Sequence, residues 1–157
     1  MPDWIVHVAV AWTLCHLLRF KYPQFDTPNT ILVMVGALLP DVVKVVMLPN
    51  LLGHDWWNYV YALHQPLGSL LVAGFASLFF ENKKESLLFF SLGVITHYAL
   101  DLVLIQVSGG IYLFYPLSWL AFHLDLVPND DYYITMVALG VAVLIYLITH
   151  RVSKGAK

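Results

Sequence analysis

The sequence predicts an all-α fold, a polytopic integral membrane helical bundle of about five transmembrane helices plus an interfacial or re-entrant segment. Three observations predict it. Hydrophobic residues make up 60% of the 157 positions and charged residues 11%, whereas a soluble domain is roughly 45–50% apolar and about 25% charged. The mean hydropathy is +0.75, and a chain this small cannot hide that much apolar surface from water. The apolar residues also fall into five runs near the length of about 20 residues that a helical span requires.

The first run covers residues 4–20. It has no basic stretch before it and no small-residue cleavage signal after it, so it is expected to be retained as a span. The second covers residues 30–48, the third 57–80, the fourth 86–107 and the fifth 133–150. Residues 109–128 are aromatic and broken by proline, which suits an interfacial or re-entrant helix rather than a lipid-exposed span. No repeat, low-complexity tract or long linker divides the chain, so residues 1–157 are expected to form a single transmembrane helical domain.

Charge places the ends. Arg19, Lys21, Lys83, Lys84, Arg151, Lys154 and Lys157 lie on alternate sides of a five-span chain, hence on one face, and only Lys44 is left over. The other face carries Asp3, Asp55, Asp125, Asp130 and Asp131. By the positive-inside rule the N-terminus is outside and the C-terminus cytoplasmic, in the plasma or inner membrane. A net charge of −2 with eight Lys plus Arg gives no basic patch for nucleic acid. The single cysteine, Cys15, excludes disulfide frameworks and Cys-based zinc sites.

Five ionisable residues fall within the spans: His7, Asp41, His64, His97 and Asp101. At a rise of about 1.5 Å per residue, this topology puts all five in the outer half of the bilayer, delivered by four different helices. Such groups are costly in lipid and call for partners. His97 and Asp101 form an i,i+4 pair on one helix face. Asp41 follows Pro40, which frees a carbonyl one turn back and can bend the helix. His64 sits beside Pro66 and Gly68, which loosen regular packing in the same way. Three imidazoles and two carboxylates suit zinc or another borderline divalent ion such as manganese. Read singly, each has a plainer role: an interhelical hydrogen bond for a histidine, a His97–Asp101 pair without metal, a helix cap for Asp41.

An early His, then Leu-Leu-Pro40-Asp41, then a proline-associated His64, then His97-x-x-x-Asp101 resembles the membrane-bound metal-dependent hydrolases of the YdjM type. The likeness runs from His7 to about Ser118, through the segment from Gly109 to Ser118. The ligand order is also similar to that of the secreted zinc phospholipase C group, whose zinc cluster hydrolyses phosphate esters. The resemblance implies that Asp41, His64, His97 and Asp101 form one metal centre, with Asp101 bridging to a second ion shared with His7. Where the family has P-D-x-D this chain has Pro40-Asp41-Val42-Val43, and where it has H-R-G-x-T-H-S only Leu63-His64-Gln65-Pro66 remains. The ligand set therefore implies one or two ions rather than three.

Two functions compete. One is a metal-dependent hydrolase of the outer leaflet acting on a membrane lipid or lipid-like phosphate ester, with Asp41 or Asp101 accepting the proton of water. The other is a non-enzymatic proton or metal-ion carrier, since buried His–Asp chains also build ion pathways. A catalytically inactive family member with a structural metal is a third reading. A through route needs polar residues continuing inward, and the inner halves of the spans are apolar apart from Cys15 and His16. The pairs His54–Asp55 and His123–Asp125 read as solvated loop residues, and the aromatic clusters 56–59 and 112–119 as interface anchors. His16 and His150 have no partner at matching depth. No G-x-S-x-G, phosphate-loop or H-E-x-x-H motif occurs.

Overall fold

A computed structural model describes residues 4–42, 62–105, 110–127 and 131–155. The described residues form five helices: α1 (Trp4–Leu18), α2 (Thr27–Leu38), α3 (Pro66–Ser77), α4 (Lys83–Val103) and α5 (Asp131–Gly155). Among the described residues there are no strands, only two isolated bridges. Among the described residues two helices are long and apolar enough to cross a membrane, Lys83–Val103 and Tyr132–Arg151. Three shorter apolar helices accompany them, Trp4–Leu18, Thr27–Val42 and Pro66–Ser77. The second expected span reaches past Val42, and the third begins before Ala62. The parts at 43–48 and 57–61 lie outside the described residues, as do His54, Asp55 and the aromatic cluster 56–59.

The helix starts are written in the sequence. Asp26 caps α2, its Oδ1 accepting from the Asn29 amide at 3.0 Å, with Pro28 in the first turn where a missing N–H costs nothing. Asn82 caps α4 by accepting from the Glu85 amide at 3.3 Å, while Glu85 Oε2 accepts from Asn82 Nδ2 at 2.6 Å. Asn29 Nδ2 then donates to Glu85 Oε1 at 3.0 Å and ties the start of α2 to the start of α4.

From that tie the two helices run side by side with their backbones nearly touching. A Cβ on Gly36 would collide with the Phe90 carbonyl, and one on Gly93 with the Val33 carbonyl. Small residues permit this approach between membrane helices. One apolar cluster, Ala11, Cys15, Val33, Ala37 and Phe89, joins α1 and α2 to α4. A second, Ala73, Phe90, Val94, Tyr98 and Ile111, joins α3 and the 110–127 segment to it. Helix α5 packs mainly on α1, and no part of its Tyr132–Arg151 stretch is buried. An apolar helix with no fully buried residue has lipid as its natural surroundings.

Residues 110–127 differ from the expected interfacial or re-entrant helix. They form an irregular loop closed by the Ile111–Phe122 bridge and carrying a cis Tyr115–Pro116 bond. Pro116 removes an amide that a helix would need. The loop instead finds its hydrogen bonds at the end of α4. Leu124 donates to the Leu102 carbonyl at 2.8 Å and Leu126 to the Val103 carbonyl at 2.9 Å. Those are carbonyls of the last turn, which have no partner within the helix.

Candidate metal centre

Four elements bring the five expected residues to one end of the bundle. His7 comes from the first turn of α1. Asp41 lies in the tight turn 39–42 that continues α2. His64 sits in the break before α3, where Pro66 occupies the first helical turn. His97 and Asp101 lie one turn apart near the end of α4. His7, Asp41, His97 and Asp101 are each at most 2% exposed. The His64 side chain is 17% exposed, so the cluster opens to its surroundings at His64.

The distances are those of a ligand cluster. His97 Nε2 is 3.2 Å from Asp101 Oδ2 and 3.8 Å from Asp41 Oδ1. His7 Nε2 is 3.5 Å from Asp101 Oδ1, and His64 Nδ1 is 3.9 Å from Asp41 Oδ1. Two overlapping groups can hold a metal ion: His7, His97 and Asp101, and Asp41, His64 and His97. Each oxygen of Asp101 faces a different imidazole, which is the disposition a bridging carboxylate needs.

Protons decide what this cluster accepts. His97 Nδ1 donates to the Ala37 carbonyl at 2.8 Å, and His64 Nδ1 donates to the Pro40 carbonyl at 2.8 Å. A carbonyl oxygen only accepts, so the proton of each neutral ring sits on Nδ1. Both carbonyls belong to the end of α2, where backbone acceptors are left over. His97 Nε2 is then a bare lone pair held between two carboxylates, an arrangement that is repulsive without a cation or a proton. Protonating every ring is a poor remedy, because the His7 and His97 rings stack with centroids 3.9 Å apart at 15°. Two buried carboxylates demand compensating positive charge. One divalent cation meets that demand at the lone pair, and the donor set of imidazole and carboxylate fits zinc or manganese.

Around the cluster stands a set of neutral polar residues that the sequence reading missed. The Tyr98 hydroxyl donates to the His64 carbonyl at 2.8 Å and lies 2.6 Å from Ser69 Oγ, which itself reaches the Leu63 carbonyl at 2.9 Å. Gln65, 2% exposed, accepts from the Tyr112 amide at 3.2 Å and so fastens the 110–127 loop beside the site. Uncharged residues leave little trace in hydropathy. The one trace is the i,i+4 spacing of Gln65, the residue that caps α3, and Ser69 in its first turn, a spacing that a plain packing role produces equally. His123 and Asp125 form an exposed pair at 2.6 Å in the loop, outside the cluster.

Fold and cluster together define a helical membrane protein with a buried His/Asp group able to hold a cation. The chain matches the family model of the YdjM inner membrane protein over residues 2–156, and it belongs to that family. Neither a curated protein nor a solved structure matches it.

Proposed function

We propose that the protein is an integral membrane metal-dependent hydrolase whose site lies in the outer half of the bilayer and acts on a phosphate ester such as a lipid headgroup. The observation that carries this reading is the lone pair of His97 Nε2, fixed by the Ala37 carbonyl and placed between Asp41 and Asp101. His7, Asp41, His64, His97 and Asp101 are the proposed ligands of one or two ions, zinc first and manganese second. Such an ion would lower the pKa of a bound water toward about 7 and steady the charge on the oxygens of the attacked phosphate. Asp41 and Asp101 are the groups suited to take the proton of that water. His64, at the open edge of the cluster, is where a headgroup enters. The carrier reading fits less well, because the apolar cluster Ala11, Cys15, Val33, Ala37 and Phe89 lies between His7, Asp41 and His97 and the basic end of the bundle.

Metal analysis of purified protein, wild type beside Asp101→Ala, tests the centre. Stoichiometric zinc or manganese in the wild type and its loss in the variant is the expected result. Hydrolysis of lipid phosphomonoesters and phosphodiesters, abolished by chelator and restored by metal, tests the reaction. Metal-free wild-type protein with unchanged stability in the variant overturns the centre. Bound metal without hydrolysis of any lipid phosphate leaves it a structural staple.

A further inference from the structure

A second cluster of chemistry-bearing side chains lies at the far end of α1 from the His/Asp group. The last turn of α1, the chain just beyond it and the later turns of α5 enclose a cleft of about 440 Å³ lined by His16, Arg19, Phe20, Tyr146, Thr149 and His150. Depth along the sequence gave His16 and His150 no partner. Packing of α5 on α1 brings them to one cavity. Two further clefts along α5 are lined mainly by apolar side chains and differ from it in kind.

The side chains in this cleft are pre-set. The His16 ring stacks on Trp12 at 4.1 Å and 24°, and the His150 ring stacks on Tyr146 at 5.6 Å and 10°. Each imidazole is thus braced by an aromatic ring one turn earlier on its own helix. Arg19 adds a permanent positive charge with a fork of donors. No Asp or Glu lines the cavity, and no salt bridge involves Arg19 among the described residues. Tyr146 supplies a hydroxyl, while Thr149 Oγ1 donates to the Tyr146 carbonyl at 2.9 Å. A cleft with an arginine, two imidazoles and a phenol, floored by Phe20, is complementary to a compact oxyanion. Arginine matches phosphate geometry with paired hydrogen bonds, and basic pockets between membrane helices hold anionic headgroups.

We propose that the cleft formed by His16, Arg19, Tyr146 and His150 binds a phosphate group, carried by an anionic lipid of the leaflet at the basic end or free in solution. Arg19 binds the charge, and the two braced imidazoles and the phenol set its orientation. This site is independent of the metal centre and of any reaction there.

The test offers purified full-length protein equal amounts of phosphatidylglycerol and phosphatidylcholine with matched acyl chains. Retained lipid is counted by native mass spectrometry. Wild type should retain phosphatidylglycerol about fivefold over phosphatidylcholine, the order expected for one basic side chain at a headgroup. Arg19→Gln should bring the ratio close to one. His16→Phe, which keeps a ring for Trp12 to stack on, should lower it part of the way. Lys84→Gln, away from the cleft, should leave it unchanged. Millimolar inorganic phosphate assigns the source: displacement of the lipid marks free phosphate as the ligand, and no displacement marks the headgroup. Equal retention of the two lipids by wild type overturns the proposal. So does a preference that survives both cleft variants, or one that Lys84→Gln reduces as much as Arg19→Gln.

Discussion

At the scale of single residues, the five ionisable groups differ in what their atoms are free to do. His97 spends Nδ1 on the Ala37 carbonyl and keeps Nε2 for the cluster, and His64 spends Nδ1 on Pro40 in the same way. The nitrogen each ring could offer a metal is therefore chosen by a backbone acceptor behind it, the arrangement that fixes tautomer and ring direction in metal sites. Asp41 faces both of these histidines and belongs to no i,i+4 pair, so of the two carboxylates it is the one better placed to move a proton. Asp41→Asn keeps a ligand oxygen and removes the proton acceptor. Its metal content should stay near that of wild type while turnover of the lipid phosphate falls by about 10²–10⁴, the usual worth of a positioned base. Parallel metal analysis and rate measurement check this. Equal loss of metal and rate would make Asp41 a ligand and nothing more. All five positions were legible in the sequence because a charge in an apolar run is conspicuous. Tyr98, Ser69 and Gln65 were not, because a neutral polar residue on a buried helix face looks the same in sequence whether it packs or positions.

At the scale of helices, the cluster depends on the register of α2 against α4. Asn29 on Glu85 fixes one end, and the Ala37 carbonyl on His97 fixes the other. Between them Gly36 and Gly93 let the backbones meet. Gly93→Ala puts a methyl group into the Val33 carbonyl, and the helices must part. The expected cost is about 1–3 kcal/mol of stability, as for other overpacked contacts, together with weaker metal retention, because parting α2 from α4 separates Asp41 from His97. Denaturant unfolding and metal titration of the same variant read the two effects. A stable variant with normal metal content would show that the close approach does not set the site. Hydropathy found the apolar runs but not these contacts, since spacing along one run carries no information about its neighbour. The third run shows the limit most clearly. Read as one span, it is interrupted at His64 and Gln65, and the interruption is what turns His64 toward Pro40. The loop at 110–127 shows another limit. Its aromatic and apolar content matched an interfacial helix, while its hydrogen bonds go to the carbonyls left open at the end of α4.

At the scale of the whole molecule, the two polar clusters sit at opposite ends of α1, and the orientation of the chain decides which leaflet each one meets. The 110–127 loop, with Asp125 in it, stands at the end of the His/Asp cluster, while Arg19, Lys21, Lys83 and Lys84 stand at the other. Basic residues gather on the cytoplasmic side of inner membrane proteins, so the end with the His/Asp cluster should face outward and the Arg19 cleft the cytoplasmic leaflet. Cys15, the only cysteine, is buried, which makes Cys15→Ala a usable background for single reporters. In it, Asp125→Cys should react with a membrane-impermeant maleimide added to intact spheroplasts. Lys83→Cys, exposed in the first turn of α4, should react only after the membrane is opened. The reverse pattern would move the metal centre to the cytoplasmic leaflet, and with it the pool of phosphate esters that can reach His64. Reaction of both reporters from outside would mean that the connection between α3 and α4 does not lie opposite the 110–127 loop. The alternation of spans from which the five residues were placed at one depth would then fail as a guide to orientation, whatever their mutual distances.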